Sequence, residues 1–455
     1  MTRKCFSRSM YSICLALCMA VAVPSFAQTF TTLHAFIGPE GKNSYATLVQ
    51  GRDGALYGTT REGGPNGMGV VFRIDTAGNY SILHAFTGPD GQLPDGGLTL
   101  GTDGNFYGAT QNGGSLGGGV VYKMTPTGHV TVLYNFGGNQ AAHPYQPPII
   151  GTDGNFYGIE YGNPGAGGQL YKLDRSGNLT TLIYGDGNMY GPVQTADGLL
   201  YVATDGFDPD WGQVSRISTT GTEYEVFNFD ATDGAEPIGV SLGFDGNVYG
   251  ACIEGGNSGI SYGDLFSFDS AFNFTQLFTF TAEFGPRTPL GAPLPANDGQ
   301  LYGTTQYGGT AEDGAIYSYA TDGTVTTLYS FLNGTYGSVD PIGQPFQHTN
   351  GVFYGTTEFG GPRALNGQVY SFNNGLPPFV SFVVPSGGVG QTIQILGQGL
   401  TGTTKVTFNG VAASSFTVVS DTYMTAVVPS GAITGTVVVT TPGGVLKSNQ
   451  RFRVL

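Results

Sequence analysis

The sequence predicts an all-β chain: a seven-bladed β-propeller closed by an N-terminal strand, followed by a small β-sandwich. Three observations predict it. The octapeptide GTDGNFYG stands at Gly101–Gly108 and returns unchanged at Gly151–Gly158. Looser copies recur along the chain, with the turn Asp or Asn spaced 44 to 53 residues apart. The 455 residues include 77 Gly, 30 Phe and 26 Tyr, while charged residues reach only 11%. Glycine-rich disordered chains lack aromatic residues. Here the rings recur at fixed places, so glycine reads as turn chemistry and the rings as core.

In chain order, the first element is a targeting segment, residues 1–27. Arg3, Lys4 and Arg8 make a positive end, and an apolar run extends from about Met10 to Val23. Ser25-Phe26-Ala27 supplies the small residues that a signal peptidase reads, so cleavage is expected after Ala27. The run is too short and one-sided for a membrane span. Cys14 and Cys18 raise lipid attachment, but Leu17 occupies the position that needs a small residue, which favours release. The mature chain keeps only Cys252, so it holds no intrachain disulfide and must stabilise itself by packing and closure. Cys252 stands where other copies carry Thr60, Thr110 and Thr305, and reads as a buried small side chain. The mature charge is 14 basic against 32 acidic residues, net −18, which argues against nucleic acid and anionic membrane as partners.

The propeller is expected over residues 28–376. Its repeat core, G-x-D-G-x-hydrophobic-Y-G-T-T, appears seven times, with the turn residue at Asp53, Asp103, Asp153, Asp197, Asp245, Asp298 and Asn350. Periods of this length indicate propeller blades or solenoid units. In the first copy Thr47–Gln50 is a short apolar strand, and Asp53-Gly54 is a hairpin turn because Gly accepts positive φ. Leu56–Thr60, Val70–Ile74 and Tyr80–Phe86 supply three further strands. Four short antiparallel strands per unit is the pattern of a blade. The recurrent Tyr57, Tyr107, Tyr157, Tyr201, Tyr249, Tyr302 and Tyr354 are expected to pack between blades.

The two ends of the array complement one another. The seventh copy has three strands, near Gln344–Gln347, Val352–Thr357 and Gln368–Phe372, and then runs into Pro377-Pro378. The N-terminal TFTTLHAF, Thr29–Phe36, has no blade of its own and matches the fourth strand NYSILHAF, Asn79–Phe86. It is expected to complete the seventh blade, which removes the exposed sheet edges of an open stack.

Residues 377–455 alternate differently. QTIQIL (391–396), KVTF (405–408), an Asn409-Gly410 turn and strands near 415–419, 423–428, 435–440 and 450–454 fit a small sandwich. The stretches VPSGGVGQTIQILGQGL, KVTFNGVAASSF and AVVPSGAITGTVVVTTPGG resemble the IPT/TIG family of immunoglobulin-like domains over this whole segment. That resemblance implies a spacer or binding accessory. The YGTT-x-x-GG pattern at Tyr57–Gly64, Tyr302–Gly309 and Tyr354–Gly361, with the LHAF and VF/VY strands, resembles the GloVer-type tandem repeat of exported bacterial proteins over about 29–373. Members of that family attach to the envelope by varied C-terminal anchors. This chain ends in an immunoglobulin-like domain instead of an apolar helix and basic tail, which speaks against covalent or membrane anchoring. The family implies no reaction.

Chemistry is expected on the loop-rich face, where connections from second to third strands and between blades emerge. Trp211, the sole Trp, lies beside Asp208 and Asp210, a combination suited to stacking on a sugar and holding its hydroxyls. The plainer reading, and the favoured one, is a loop anchor packing on a neighbouring blade. Glu62, Glu160, Glu254 and Glu358 stand near equivalent positions in four blades. They are read as candidate ligand contacts, with solvated loop acids as the plainer reading, because paired carboxylates need a suitable separation for hydrolysis. No catalytic residue, metal ligand or cofactor is expected: only Asp208-Pro209-Asp210 alternates acids in the manner of a calcium loop, and no HExxH, phosphate loop or GxSxG is present.

The function expected is a secreted, non-catalytic binding or cell-surface interaction protein, recognising an extracellular polysaccharide or an envelope component. The alternative is an extracellular propeller hydrolase or lyase acting on a carbohydrate or small molecule. No membrane insertion is expected, and the oligomeric state is left open.

Overall fold

The hairpin turn of the repeat is held by its aspartate and its glycine together. Gly54 takes φ 75°, a conformation that costs glycine little. Asp53 Oδ1 accepts the Ala55 N–H at 3.2 Å, and its Oδ2 accepts the Tyr57 hydroxyl at 3.2 Å. The same lock recurs from Tyr107 to Asp103 (2.8 Å), Tyr157 to Asp153 (2.7 Å), Tyr249 to Asp245 (2.7 Å) and Tyr302 to Asp298 (2.7 Å). In the seventh copy Asn350 Nδ2 donates to the Tyr354 hydroxyl at 2.9 Å. The rings then stack on the following sheet: Tyr57 on Phe106 at 4.1 Å, Tyr107 against Phe156 at 4.7 Å and Tyr302 against Phe353 at 4.4 Å. GTDGNFYG recurs because one tyrosine ties its own turn and packs the neighbouring sheet.

A computed structural model describes residues 28–455, apart from 138–142, 162–166, 207–210, 231, 256–260, 282–284, 333–338 and 361–365. The expected signal peptide lies outside the described residues. Among the described residues there is no helix. The first copy forms an antiparallel sheet from Val49–Gln50, Leu56–Thr60, Val70–Ile74 and Tyr80–Ala85. The later copies repeat this order, giving seven sheets in the repeat region among the described residues. The sixth sheet carries a fifth strand, because Arg287–Pro289 and Leu294–Pro295 both pair with Leu301–Tyr307. The overall class is all-β and propeller-like.

The N-terminal strand Thr29–Ala35 pairs antiparallel with Gln368–Asn373, placing Phe30 opposite Phe372 and Ala35 opposite Gln368. It completes a four-stranded sheet with Phe353–Thr357 and Phe346–Gln347. Its rings reach both neighbouring sheets: Phe30 stacks on Tyr329 at 4.1 Å, and His34 stacks on Tyr80 at 4.0 Å. Each consecutive pair of sheets shares a buried apolar cluster. Tyr354 and Val369 of the last sheet likewise share one with Leu48, Leu56 and Phe72 of the first. Each fully buried large side chain contributes about 1.5–3 kcal/mol, so these clusters hold neighbouring sheets together. Cys252 is buried and unpaired, as its repeat position implies.

The C-terminal sandwich packs the sheet of Ser381–Phe382, Thr392–Leu396, Tyr423–Val427 and Phe416–Val418 on that of Val411–Ala412, Lys405–Phe408, Val437–Thr441 and Gly444–Lys447. Ile395, Phe408, Met424, Val439 and Phe452 fill the space between them. The Asn409-Gly410 turn has φ 45° and 90°, the two positive values of a tight hairpin.

Candidate functional site

Two positions of the repeat deliver side chains to one cavity. The first follows the YGTT signature. Thr60, Thr110 and Thr357 end the second strand and Thr305 stands two residues before its end; each hydroxyl donates to the carbonyl two residues on, at 2.6–3.0 Å. This turn presents the intervening residue. Across the seven copies that residue is Arg61, Gln111, Tyr161, Asp205, Ile253, Gln306 and Glu358. The second position lies where the chain enters each sheet, on or just before its innermost strand: Tyr45, Asp95, Tyr145, Tyr190, Ile238, Leu290 and Ile342. In five copies a proline precedes it, packed on a glycine; a Cβ on Gly69 would meet Pro94 Cδ at 2.5 Å. All seven residues of this second set line a cavity of about 640 Å³, joined there by Arg61, Gln111, Tyr161 and Ile253 of the first.

The cavity has a polar arc, contributed by the first four sheets and the last. Arg61 holds Gln111 Oε1 at 3.4 Å, stands over the Tyr45 ring at 5.3 Å, and brings Nε to 3.7 Å from Asp95 Oδ1. Asp95 is 7% exposed, and its Oδ1 accepts no hydrogen bond among the described residues. Burial pushes its carboxyl up to about 7, opposed by Arg61 and reinforced by Glu62. The Tyr45 hydroxyl donates to Glu358 Oε1 at 2.6 Å, and burial also raises the Glu358 carboxyl. Tyr145 and Tyr161 stack at 3.7 Å, and Tyr190 meets Tyr145 edge-on at 6.1 Å. The Tyr190 hydroxyl donates to Asp205 Oδ2 at 3.1 Å, while Tyr145 donates to the Met189 carbonyl. Burial raises Tyr161 to about 12, so it stays a neutral donor. Ile238, Ile253, Leu290 and Ile342 form the opposite arc, each half-buried.

The residues expected from sequence are distributed differently. Glu62 and Glu254 share one repeat position, Glu358 falls at that of Arg61, and Glu160 at that of Thr60. The structure brings Glu62 and Glu358 close to Arg61; Glu62 also pairs with Lys42 at 2.7 Å. Glu254 is exposed and acts electrostatically on Glu236. Glu160 is not a solvated loop acid: it is 5% exposed, its Oε2 has no partner among the described residues, and burial raises its carboxyl to about 8. Trp211 is 45% exposed, outside the cavity lining, and its carbonyl accepts the Glu236 N–H at 2.9 Å. Asp208 and Asp210 lie outside the described residues. Among the described residues no group of three or more His, Cys, Asp or Glu is placed to hold a metal. Sequence reasoning missed Arg61, Asp95 and the four tyrosines. The available signal was variation: within an otherwise repeated motif, the residue after YGTT changes in nearly every copy.

The hairpin turns at the other end of the sheets carry the sandwich. Thr422 Oγ1 donates to the Arg52 carbonyl at 2.7 Å, and the Arg52 guanidinium lies 4.6 Å from the Tyr423 ring centre. Leu396 and Tyr423 join the cluster of Ala55, Tyr57, Leu98 and Leu100. Gln398 Nε2 donates to Thr349 Oγ1 at 3.1 Å, and the Phe379 N–H to the Thr349 carbonyl at 3.0 Å. A second cavity of about 400 Å³ lies between the innermost strands and Phe382, Val383 and Leu396 of the sandwich. Leu98 and Gln344 line both cavities, so they adjoin along the axis of the sheets.

These features define an all-β, propeller-like protein with a loop-face cavity and a docked sandwich. The chain belongs to the Gloeobacter/Verrucomicrobia repeat family, whose model matches residues 21–188 and 184–370, and it carries an IPT/TIG domain at 378–454. Its sequence matches no curated protein. Among solved structures it is similar to a putative 6-phosphogluconolactonase from Bacteroides uniformis, with 17% identity, 66% of this chain and 88% of that one covered, and a TM-score of 0.46. It is also similar to PorZ, a surface component of the type-IX secretion system of Porphyromonas gingivalis, with 14% identity, 92% and 60% coverage, and a TM-score of 0.46. A gluconolactonase from Xanthomonas campestris follows at 13% identity, 61% and 86% coverage, and a TM-score of 0.39. No helix of the described residues is long and apolar enough to cross a membrane.

Proposed function

We propose that the protein is an exported surface-interaction protein whose loop-face cavity binds one unit of an extracellular polysaccharide or envelope component. In this reading the seven sheets are the blades of a closed propeller, with Thr29–Ala35 as the closing strand and the sandwich bracing the far side. Closure is supported by the pairing of that strand with Gln368–Asn373 and by the cluster shared between the last and first sheets. Export is supported by the residues at 1–27, the acidic balance and the repeat family.

One observation carries the binding role. Four tyrosines, Arg61 and Asp95 converge on a cavity of about 640 Å³, within the usual range for a small-ligand site. Tyrosine faces stack on sugar rings, and amide, guanidinium and carboxyl groups hold hydroxyls. The test is a glycan array together with pull-down from cell-wall fractions, using the native chain and Tyr161→Ala. The native chain retains a glycan and the variant loses most of it; a blank result in both assays overturns the reading.

A hydrolase or lyase draws on one specific feature, a buried carboxyl held near neutral pH at Asp95, as acid–base catalysis requires. Release of new reducing ends or unsaturated sugars from a bound glycan, abolished by Asp95→Asn, would establish that reading instead.

A further inference from the structure

The two sides of the cavity differ in chemistry, and the scaffold does not impose the difference. The second position accepts Tyr45, Asp95 and Tyr190 in some copies, so nothing in the repeat demands an aliphatic residue there. Yet Ile238, Leu290 and Ile342 occupy it in three consecutive sheets, and Ile253 adds a fourth aliphatic side chain from the other position. Each keeps part of its surface open to the cavity. Opposite them stands the arc with Arg61 and Asp95. An unsubstituted sugar seated here would turn hydroxyls toward hydrocarbon on one side, and a hydroxyl buried without a partner is costly.

We infer that the cavity is specific for an amphipathic sugar unit, one carrying an acyl or deoxy-methyl group, with its hydroxyls toward Arg61 and Asp95 and its hydrocarbon against Ile253 and Leu290. This inference rests on the glycan reading above and names the class of sugar. The volume admits a monosaccharide with a short substituent. Burying each additional methylene against the aliphatic arc strengthens binding about fourfold.

The test is titration calorimetry of the full chain with N-formyl-, N-acetyl- and N-butanoylglucosamine, and with a parallel N-acyl-tris(hydroxymethyl)aminomethane series that has hydroxyls but no sugar ring. Affinity for the sugar series rises about fourfold per methylene. In Ile253→Asn and Leu290→Asn the dependence on acyl length disappears. Unchanged melting of these variants shows that the fold is intact; if either fails to fold, Ile253→Ala and Leu290→Ala repeat the comparison. A sugar series that binds with no dependence on acyl length overturns this inference and leaves the glycan reading standing. A silent sugar series beside a graded triol series overturns the glycan reading and, with it, this inference. Silence or flatness in both series overturns the inference.

Discussion

Arg61 Nε lies 3.7 Å from Asp95 Oδ1, within range of charge attraction but beyond a hydrogen bond. The aspartate is therefore buried faster than it is paired, and its carboxyl is pushed up to about 7 from an ordinary 3.8. In the unfolded chain it ionises near 3.8, so between about pH 4 and 7 the folded state binds more protons. Stability attributable to this group falls as pH rises through that window, and stays low above it. Asp95→Asn removes the slope. The variant is expected to match the native chain near pH 4 and exceed it at pH 8 by on the order of 2–4 kcal/mol, read from denaturant melts at both values. Parallel curves would contradict it.

Glu160 offers a related test with a different repair. It occupies the position where Thr60, Thr110, Thr305 and Thr357 each satisfy a carbonyl, and burial raises it to about 8. The sign is the same as for Asp95: its cost appears as pH climbs from about 4.5 to 8. Glu160→Thr is expected to stabilise by about 1–3 kcal/mol, most strongly at alkaline pH. A fall in melting temperature at pH 8 would show that the carboxylate has a partner that offsets its burial.

The N-terminal strand is accessible through Phe30, which stacks on Tyr329 at 4.1 Å and on Tyr370 at 5.1 Å. Phe30→Ala is expected to cost about 2–4 kcal/mol. Removing residues 28–36 strips the outermost strand from the last sheet and exposes the edge of Gln368–Asn373. A melting curve unmoved by that truncation would rule out a closed ring.

Docking of the sandwich can be separated from backbone strain by two glycines in equivalent turns. Gly54 has φ 75°, and a Cβ there would meet Thr422 Cγ2 at 2.6 Å. Gly198 has φ 87° and nothing within 4 Å. Both alanine variants pay the same positive-φ cost, about 1 kcal/mol. Gly54→Ala alone is expected to loosen the sandwich, seen as faster proteolysis near Pro377-Pro378 and faster hydrogen exchange at Leu396 and Tyr423. Equal behaviour of the two variants would mean that the domains are not held through this contact.

Most of the strand plan was legible because its causes are local. The Asp53-Gly54 turn, the apolar run Val70–Ile74 and the strand-like Thr29–Phe36 each lie within about ten residues, and turn chemistry acts over that range. Even the tyrosine at the seventh place of GTDGNFYG was readable as packing, although its bond to the turn aspartate was not.

The candidate site was far less legible. Tyr45 and Glu358 touch across 313 positions, and Arg61 meets Asp95 only because successive sheets share a centre. An Asp in a glycine-rich loop carries no local mark of burial, so Asp95 passed as ordinary while exposed Trp211 drew notice. The sequence by itself determined the repeating unit, its turns and its aromatic core, since those follow from short-range backbone and packing preferences. Only the tertiary structure decided which variable residues converge, which carboxyls lose water and where the sandwich docks, because each depends on contacts summed across sheets far apart in the chain.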